Sequence, residues 1–367
     1  MSLPLRLGVQ QRVLPGYRAA FFDLLAQSCE GSLGVFSGPP RADEMIELGS
    51  GLQTAVPFAA RNTYLLGWPA GFCWQRGLTA WLENWQPDAL IVEANPRYLS
   101  TPSAVRWMHR HQRPVIGWGL GAGGAGSRLT GLRRTWRSSF LTQFDAILTY
   151  SRQGANEYEA IGIPPERIFI APNAATPRPT QAPIQRAITQ KQKPSVLFVG
   201  RLQQRKRIDL LLQACAALPT DQQPRLVIVG DGPAKAEFEA LAKTVYPQAE
   251  FTGARHGVEL EPYFTAADLF VLPGTGGLAV QQAMSYSLPV MVAEADGTQS
   301  TLVRRENGWL LPPGDLNALA VTMQQALADL PRLRRMGAAS YEIVQNEVNL
   351  ETMVAAFEAA VTFVMVR

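Results

Sequence analysis

Short apolar runs rich in β-branched residues recur along the chain, separated by stretches of helix length and character. Runs that are apolar throughout, without alternating polar positions, are typical of strands that helices cover on both faces. Strands that alternate with helices in this way predict parallel, doubly wound sheets of the Rossmann type, an α/β fold. The predicted strands are residues 5–9, 33–36, 89–92, 115–118, 146–150, 168–171, 196–199, 226–229, 269–272 and 290–293.

A polar segment with four prolines, residues 174–194, divides this series in two. No strand or regular helix fits that composition, so the segment is a linker or an extended surface segment. We therefore predict an N-terminal Rossmann-like domain at residues 1–174, a linker at 175–194 and a second Rossmann-like domain at 195–345. The spacing of the apolar residues in 346–367 predicts a C-terminal helix, and we expect it to pack back on the first domain.

The composition is that of a folded protein with two domains: 367 residues, 47% of them hydrophobic and 17% charged. Cys29, Cys73 and Cys215 follow no metal-ligand or redox spacing. No apolar run approaches the roughly 20 residues of a membrane helix, and the first residues lack the layout of a signal peptide. We expect a cytoplasmic protein, with peripheral contact at the inner face of the membrane as an alternative.

The net charge of +4 changes this picture only slightly. It suits anionic small molecules or an anionic membrane surface, and it is equally compatible with an ordinary solvated surface. The charge is too small and too scattered for a nucleic-acid-binding protein, so we expect no nucleic-acid partner.

A candidate anion site follows the predicted strand at 196–199. The strand runs into Gly200 and Arg201, and Lys206 precedes a predicted helix at 208–217. Backbone amides and the helix dipole favour anions at such a helix N-terminus. A guanidinium offers a planar fork to a diphosphate, and an ammonium offers a point charge. The alternative is that these cations are simply solvated.

Two glycine-rich turns also follow predicted strands of the second half. Residues 230–233 (Gly-Asp-Gly-Pro) form a tight turn, and residues 274–277 carry Gly274, Gly276 and Gly277 at the start of a helix. Glycines allow the backbone to approach a ligand closely, and the amides of a first helical turn point outward. A turn without any ligand contact is the alternative for both segments.

Together, the order and spacing of these motifs resemble the C-terminal domain of glycosyltransferase family 4, the retaining enzymes of the GT-B fold. The resemblance covers roughly residues 195–340 and implies two facing Rossmann-like domains with a cleft between them. Residues 145–151 and 168–173 also resemble the last strands of the family's N-terminal domain and its Pro-Asn junction. The motifs that carry the resemblance are Gly200-Arg201-Leu202 with Lys206, Val229-Gly230-Asp231-Gly232-Pro233, Phe251-Thr252-Gly253, Ala267-Asp268, Leu272-Pro273, Gly277-Leu278, Gln282-Ala283-Met284, Leu288-Pro289-Val290, Asn307-Gly308 and Pro313-Gly314-Asp315.

The resemblance implies a site for a nucleotide diphosphate sugar, the donor. By the family pattern, Arg201 and Lys206 hold the diphosphate and stabilise the leaving group. Neither a metal nor a cofactor is implied, since cations and a helix N-terminus neutralise the departing diphosphate. The backbone of 276–278 would contact sugar and phosphate, and 253–255 would line the base pocket. The implied donor-binding residues are Gly200, Gly253, Ala254, Arg255, Gly274, Thr275, Gly276, Gly277, Leu278 and Gln282.

The chain departs from the family pattern at two positions. Family members usually carry two glutamates separated by seven residues around the glycine loop; the first touches the donor sugar and the second the ribose hydroxyls. Here these positions are Gly274 and Gln282. Gln282 can still accept a hydrogen bond from a ribose hydroxyl, without charge assistance. Two hypotheses remain open: an active retaining transferase, or an inert nucleotide-sugar-binding homologue that acts as a partner or regulator.

The first half is expected to bind a saccharide or lipid-linked acceptor. Tyr17 and Arg18 follow the first predicted strand and resemble the entry to the first helix of some bacterial polysaccharide glycosyltransferases; the alternative is that they only fix the loop. Glu93, at the end of another predicted strand, is placed to orient or deprotonate an acceptor hydroxyl, or it caps the following turn. Asn95 and Trp118 complete the predicted acceptor-binding set.

Three further features of the first half bear on the acceptor. Residues 128–144 combine four arginines with apolar residues and are typical of a basic amphipathic helix, which contacts an anionic membrane or packs on its own sheet. Trp68, beside Pro69 in a predicted loop, is a candidate for stacking on an acceptor. Family members often have a histidine near the place where this chain has Leu120.

The sequence therefore predicts a retaining, metal-independent, hexosyltransferase-like enzyme of bacterial cell-surface polysaccharide or glycolipid synthesis. A nicotinamide-dependent dehydrogenase is excluded because no Gly-x-Gly-x-x-Gly follows the first predicted strand. A nucleotide-sugar epimerase has a similar architecture but uses acid and base carboxylates, which the predicted donor site lacks.

Overall fold

The computed structural model describes residues 3–41, 44, 46, 51–65, 71–122, 131–187, 193–295 and 297–366, apart from the side chains of 131–134. The chain forms two compact units. The first unit consists of Met1–Ala175 together with Leu350–Arg367, and the second unit is Thr176–Asn349.

The strands of the two units largely coincide with the apolar runs of the sequence. In chain order they are β1 (Leu7–Gln11), β2 (Leu33–Ser37), β3 (Val56–Ala59), β4 (Arg61–Leu65), β5 (Phe72–Arg76), β6 (Ala89–Glu93), β7 (Val115–Gly119), β8 (Ala146–Thr149), β9 (Ile168–Ile170), β10 (Ser195–Val199), β11 (Arg225–Val229), β12 (Glu250–Phe251), β13 (Leu269–Leu272), β14 (Val290–Ala293) and β15 (Gly308–Leu311). The helices are α1 (Ala19–Gln27), α2 (Leu78–Trp85), α3 (Thr101–Arg110), α4 (Gly131–Leu141), α5 (Arg152–Glu159), α6 (Ile208–Ala217), α7 (Lys235–Val245), α8 (Glu261–Ala266), α9 (Leu278–Ser285), α10 (Gln299–Leu302), α11 (Leu316–Leu327), α12 (Leu330–Asn346) and α13 (Leu350–Met365).

Among the described residues of the first unit, one parallel sheet has the strand order β3-β2-β1-β6-β7-β8-β9. Strand β1 pairs with β2 on one side and with β6 on the other, so the order of the strands reverses at β1. Open α/β sheets bind ligands outside the carboxyl ends of their strands at such a reversal. In this sheet the reversal places the ends of β1 and β6, Gln11 and Glu93, beside the expected ligand crevice.

The second unit has a parallel sheet of the same kind, with the order β12-β11-β10-β13-β14-β15. Here β10 pairs with β11 on one side and with β13 on the other, so the order reverses at β10. Strands β10 and β13 are buried along their lengths, as expected for strands covered by helices on both faces. The prediction of two parallel, doubly wound sheets is confirmed.

Helix α13 completes the core of the first unit, although it comes from the far end of the chain. The ring of Phe357 lies 4.8 Å from that of Phe21 and 4.9 Å from that of Trp118, measured between ring centroids. By length and composition the stretch Leu330–Met365 would suit a membrane span. However, Phe357 and Val361 are fully buried in the core of this unit. Core packing therefore accounts for the apolar composition of α13.

The segment predicted as a linker is not a free connection. The hydroxyl of Ser287 accepts a hydrogen bond from the N–H of Ile184 at 3.0 Å, and the guanidinium of Arg186 donates to three main-chain carbonyls of the second unit. The hydroxyl of Tyr341 donates to the carbonyl of Gln181. The described part of 176–194 is thus an extended segment packed onto the second unit. Prolines and polar residues indicated the lack of regular structure, but not this packing.

Several strands were not predicted. Strands β4 and β5 form an antiparallel hairpin apart from the main sheet, with Asn62 opposite Gln75 and Thr63 opposite Trp74. Strands β3, β12 and β15 extend the parallel sheets at their edges. The hairpin matters for function, because its inner side chains reach the end of β1.

Candidate functional site

The loops that follow β10 and β13 lie next to each other at the carboxyl edge of the second sheet. The two strands are neighbours, with Leu197 opposite Phe270. The loop after β10 contains Gly200, Arg201 and a short 3-10 turn, Gln204–Lys206; the loop after β13 contains the residues 273–277. The sequence-predicted cations and glycines are therefore brought together at one place.

Three hydrogen bonds hold the two loops together around Thr275. Its N–H donates to the carbonyl of Arg205 at 3.0 Å, and its hydroxyl accepts from the Arg205 guanidinium at 3.1 Å. The ammonium of Lys206 donates to the Thr275 carbonyl at 2.6 Å. Since Lys206 is half-buried, its charge is fixed beside the glycine loop and is only partly screened by water.

Two glycines permit this close approach. A Cβ atom at position 274 would lie 2.2 Å from the carbonyl oxygen of Arg205 and 2.5 Å from the carbonyl carbon of Lys206. Gly276 has φ +151°, and a Cβ there would lie 2.5 Å from the Lys206 ammonium. No side chain therefore fits at position 274, where relatives of the predicted family usually carry a glutamate, because the backbone of the first loop occupies the space.

Helix α9 begins directly after the glycine loop. Its N-cap is Gly277, and no side chain among the described residues caps the amides of the first turn. These amides begin at Leu278 and are available to an anion, which the positive end of the helix dipole also favours. The side chain of Gln299 fixes the loop from behind by donating to the carbonyl of Gly276 at 2.9 Å. Gln282 lies one turn further along α9 and is half-buried.

The turn at 230–233 packs against the loop that follows β10. A Cβ atom on Gly230 would lie 1.9 Å from the carbonyl oxygen of Gly200. The N–H of Leu202 donates to the carbonyl of Asp231 at 2.9 Å, and the N–H of Ala234 donates to the carbonyl of Leu202 at 3.0 Å. The turn therefore helps to hold the loop after β10 in position.

The segment predicted to line a base pocket follows β12. The carbonyl of Gly253 accepts a hydrogen bond from the N–H of Gly230 at 2.9 Å, which places this segment beside the loops described above. Ala254 and Arg255 are exposed. A hydrogen bond with Tyr263 raises the pKa of Arg255. An exposed, cationic rim therefore borders the two loops on the β12 side.

In the first unit, Glu93 ends β6 at the reversal of the strand order. The backbone N–H of Arg12 donates to its Oε2 at 2.6 Å. Burial raises the pKa of Glu93 from its ordinary value of 4.5 to about 7, against the lowering effects of that hydrogen bond and of the charges of Arg12 and Arg18. A carboxyl group with a pKa near neutrality can accept and return a proton at physiological pH.

A chain of buried hydrogen bonds, formed by Gln10, Gln75 and Ser100 and called the polar ladder below, holds the backbone of Glu93. It was not predicted. The side-chain oxygen of Gln10 accepts from the backbone N–H of Glu93 at 3.2 Å, and its amide donates to Gln75 of the β4–β5 hairpin. Ser100 in turn donates to the carbonyl of Gln75 at 2.9 Å. Gln10 and Gln75 are fully or almost fully buried. Glutamine within an otherwise apolar strand run was the signal that could have revealed this ladder.

Arg12 borders the same carboxylate and was also not predicted. Its guanidinium donates to Glu44 at 2.8 Å and to the hydroxyl of Tyr64 at 2.9 Å. Burial lowers the pKa of Arg12, but the hydrogen bond to Glu44 and the neighbouring tyrosines, Tyr98 and Tyr64, outweigh it and raise the pKa. The surroundings of Glu93 therefore include the fixed cation of Arg12 and phenolic side chains.

Two residues of the predicted acceptor set lie in the core instead. Arg18 is 5% exposed and donates to Asn173 at 2.6 Å, while its guanidinium lies 5.2 Å from the ring centroid of Trp118. Trp118 is 3% exposed, since aromatic side chains of α1 and α13 cover it. Both therefore support the site and do not offer a surface to an acceptor. Tyr17 is 49% exposed and Asn95 is half-buried, so these two remain accessible.

Some predictions concern residues outside the described part of the chain. Trp68 and Pro69 belong to this group, as do residues 128–130 of the predicted amphipathic helix. Residues 131–141 of that segment form α4, in which Trp136 is 52% exposed. Leu120 is also 52% exposed and follows β7. Among the described residues, no group of three or more His, Cys, Asp or Glu side chains is arranged to hold a metal ion.

Both units match known protein families. The family described as Glycosyl transferase 4-like domain matches residues 9–174, and the family described as Glycosyl transferases group 1 matches residues 181–343. This chain is a family 4-like glycosyltransferase of the GT-B fold. The glycine loop and its cations lie in the part matched by the second family, and Glu93 lies in the part matched by the first.

Individual relatives agree with this assignment. Sulfoquinovosyl transferase SQD2 of Arabidopsis thaliana is 35% identical over 157 residues, which are 41% of this chain and 30% of that protein. Amylovoran biosynthesis glycosyltransferase AmsK of Erwinia amylovora is 27% identical over 226 residues, 56% of this chain and 54% of that protein. The chain thus matches between about a third and half of the length of these curated relatives.

A solved structure shares the fold over the whole chain. HepE of Anabaena in complex with UDP superposes with a TM-score of 0.72 at 15% sequence identity, covering 99% of this chain and 100% of that chain. At this level of identity the similarity establishes the fold and nothing further.

Proposed function

We propose that this glycosyltransferase moves a sugar from a nucleotide diphosphate donor to a saccharide or lipid-linked acceptor, with retention of the anomeric configuration. The observation that carries the proposal is the joined pair of loops at the carboxyl edge of the second sheet. There, Lys206 is fixed to Thr275, the glycine backbone is bare, and the uncapped N-terminus of α9 begins at Leu278. Such a combination binds an anion, and the UDP complex of HepE supports a nucleoside diphosphate as that anion.

The proposed mechanism is electrostatic. As the bond between sugar and diphosphate breaks, negative charge grows on the departing phosphate oxygen. In this proposal Lys206, Arg201 and the amides at the start of α9 stabilise that charge without reorganisation, which is usually the largest catalytic contribution. We propose that these groups suffice without a bound metal. The acceptor hydroxyl would be oriented by Glu93, whose raised pKa allows it to take up the proton.

The biological role proposed is the synthesis of a cell-surface polysaccharide or glycolipid. The enzyme itself would act in the cytoplasm. AmsK is named for amylovoran biosynthesis, and SQD2 is named as a sulfoquinovosyl transferase. A lipid-linked acceptor would require contact with the membrane surface, and α4 with its exposed Trp136 is one element for it. The outer face of the β4–β5 hairpin is a second such element, because it exposes Leu65 and Trp74 next to arginines.

The decisive experiment measures binding and turnover separately. Calorimetry with UDP, GDP and ADP should show binding of at least one nucleotide, and the matching nucleotide sugars should then be hydrolysed slowly or transferred to an acceptor pool. We expect Lys206→Ala and Arg201→Ala each to lower turnover by about 100-fold or more. Unchanged rates in both variants would disprove the mechanism. Binding without any turnover would identify an inert nucleotide-sugar-binding homologue.

Two finer points have their own measurements. The anomeric configuration of the product, read by NMR, tests retention. Turnover in excess EDTA tests independence from metals, because a metal-dependent enzyme would lose its activity there.

A further inference from the structure

The inner face of the β4–β5 hairpin contacts the chain segment whose N–H, that of Arg12, is bonded to Glu93. Side chains alternate along a strand, and Asn62 is paired with Gln75, so both lie on the same face of the hairpin. Asn62 donates to the carbonyl of Arg12 at 2.7 Å, and Gln75 donates to the carbonyl of Gln11 at 3.0 Å. Side-chain amides of the hairpin therefore hold the main chain at the end of β1, although the hairpin lies outside the main sheet.

The bond from Gln75 acts on the same peptide group that contacts Glu93. The carbonyl of Gln11 and the N–H of Arg12 belong to one peptide, which is planar and trans, so they point in opposite directions. Gln75 holds the carbonyl on one side, and on the other side the N–H donates to Oε2 of Glu93 at 2.6 Å. A rotation of this peptide would therefore weaken both hydrogen bonds together.

The amide of Gln75 is also linked to the backbone of Glu93. Its oxygen accepts from the amide of Gln10, and the oxygen of Gln10 accepts from the N–H of Glu93 at 3.2 Å. The main chain of Gln75 is fixed in turn, because the hydroxyl of Ser100 accepts from its N–H and donates to its carbonyl, both at 2.9 Å. Gln75 is 1% exposed, so water does not compete for these bonds. One buried amide is therefore linked to Glu93 by two routes, at its backbone and at its carboxylate.

The direction of the Arg12 N–H affects the proton affinity of Glu93. A hydrogen bond to a carboxylate favours the ionised form and lowers the pKa, whereas burial favours the neutral form and raises it. In Glu93 burial prevails and the pKa is about 7, with the bond from Arg12 as the largest of the opposing effects. Loss of that bond should therefore raise the pKa of Glu93 further, which can be measured.

The described groups around Glu93 do not titrate in the same range. Its neighbours are two cations, a thiol and two phenols: Arg12, Arg18, Cys73, Tyr98 and Tyr150. Burial raises the pKa of Cys73 to about 11 and that of Tyr150 to about 12, and it raises the pKa of Tyr98 as well. Among the described residues of this cluster, a change of charge near pH 7 is therefore that of Glu93.

We propose that Gln75 is a positioning residue for Glu93: it holds the peptide between Gln11 and Arg12 so that the Arg12 N–H stays directed at the Glu93 carboxylate. Gln75 acts through this peptide and through Gln10, and takes no part in the transfer of the proton. The role of Glu93 as the base rests on the proposed function, whereas the positioning of its carboxylate does not.

Gln75→Asn and Gln75→Met test the proposal. The first retains an amide that is one methylene shorter, and the second retains the length without the hydrogen bonds. Each is made in the full chain with and without Glu93→Gln, and the difference in unfolding temperature within each pair is followed from pH 5 to pH 9. In the wild type, the stabilisation by neutral Glu93 is lost as the pH rises from 4.5 to about 7, so the difference becomes constant above about pH 7. In both Gln75 variants we expect this point to move upward by about one pH unit.

Cys73→Ala is the matched control, because Cys73 is buried and lies two residues from Gln75 on the same face of the hairpin. It should lower the stability and leave the point near pH 7 in place. If Gln75→Met does not fold, Gln75→Asn decides. The proposal is overturned if the folded Gln75 variants keep the wild-type pH profile, or if Cys73→Ala shifts the profile equally.

Transfer to the acceptor pool provides the second readout. With Glu93 as the base, a shift of about one pH unit would lower kcat/KM for the acceptor about fivefold at pH 7 and change it little near pH 9. A purely structural role of Gln75 would lower the stability and move neither pH profile. If the stability profile moves and the pH profile of transfer does not, Gln75 positions Glu93 but Glu93 is not the base.

Discussion

The two positions at which this chain lacks the glutamates expected from the family pattern differ in their surroundings. At Gly274 the carbonyl of Arg205 and the backbone of Lys206 fill the space of any side chain. Gln282 is half-buried on α9, and one carboxylate oxygen in place of its amide nitrogen would change little in volume. The absence of a glutamate at position 274 is therefore required by the packing of the two loops. At position 282 the missing glutamate is only a local change of charge.

This difference predicts opposite effects for restoring the two glutamates. Gly274→Glu must separate the loops, so we expect a loss of about 1–3 kcal/mol in the free energy of unfolding and weaker nucleotide binding. Gln282→Glu should leave stability unchanged and bind the nucleotide about fivefold more tightly, through a charge-assisted hydrogen bond to the ribose. Thermal unfolding and calorimetry with UDP provide both readouts. A stable, tightly binding Gly274→Glu variant would contradict the described contact between the loops.

Glu93 should make the protein less stable as the pH rises. Its pKa is about 7 in the folded chain and near 4.5 when exposed, so the folded state holds the proton more tightly between these values. The stabilisation is complete below pH 4.5 and is lost as the pH rises through 7. Glu93→Gln cannot ionise, so its stability relative to the wild type should increase by about 3 kcal/mol between pH 5 and pH 8.

The comparison requires only the difference in unfolding temperature between the two proteins across the pH range. Glu351→Gln, a partly exposed carboxylate of α13, is the matched control and should show no such trend. A pH-independent difference for Glu93→Gln would show that Glu93 is ionised normally, and its proposed role in proton transfer would then lose its basis.

At the scale of elements, the hairpin β4–β5 has two different faces. Its inner side chains, Cys73 and Gln75, are buried, and Gln75 reaches the polar ladder beneath Glu93. Its outer face pairs Leu65 with Phe72 and Thr63 with Trp74, and ends with Arg61 opposite Arg76. The outer face has no acidic side chain, and its apolar and cationic residues are ordered along the hairpin. This order suits a membrane interface, with apolar side chains inserted and arginines among anionic headgroups.

We therefore expect the chain to bind vesicles of anionic phospholipid and not vesicles of phosphatidylcholine. The double variant Arg61→Glu and Arg76→Glu should lower the vesicle affinity about tenfold or more. The matched control reverses two exposed charges of the second unit, Lys243→Glu with Arg335→Glu, and should bind as the wild type does. Equal vesicle binding by both double variants would exclude the hairpin as the membrane contact. If the hairpin variant lost a dimer instead of losing vesicle binding, the hairpin would be identified as a self-association face.

The sequence predicted the elements with strong patterns and missed those without them. Strands β1, β10 and β13 are apolar throughout because helices cover both faces, so their runs stand out. Strand β12 has only two residues, and β4 has alternating, partly exposed positions within a polar stretch. Neither carries enough apolar residues for its pattern to be seen; both are positioned by pairing, β12 with β11 and β4 with β5.

The candidate site shows the same limit. Glycines and cations at strand ends are visible as local motifs, so Lys206 and Gly276 were found from the sequence. The ladder of Gln10, Gln75 and Ser100 depends on contacts between residues 25 to 65 positions apart, which no local motif reveals. Arg18 follows β1 and Trp118 lies near the end of β7, where ligand-contacting residues are expected, but α13, at the other end of the chain, covers them.

At the scale of the whole molecule, the two units should contribute separable steps of the proposed reaction. In that proposal the joined loops of the second unit bind the nucleotide, and Glu93 of the first unit acts on the acceptor hydroxyl. Donor binding should therefore be unaffected by Glu93→Gln, while transfer to the acceptor should fall about 100-fold or more when the base is lost. Lys206→Ala should lower both.

The pH dependence of transfer distinguishes this division of roles from a general loss of structure. With Glu93 acting as the base, kcat/KM for the acceptor should rise with pH and reach half of its maximum near pH 7, where the carboxyl group loses its proton. The residual activity of Glu93→Gln should lack this inflection, and UDP affinity, measured in parallel between pH 6.5 and 8.5, should be the same in both proteins. If the inflection persists in Glu93→Gln, another group takes the proton, and the diphosphate leaving group becomes the candidate base.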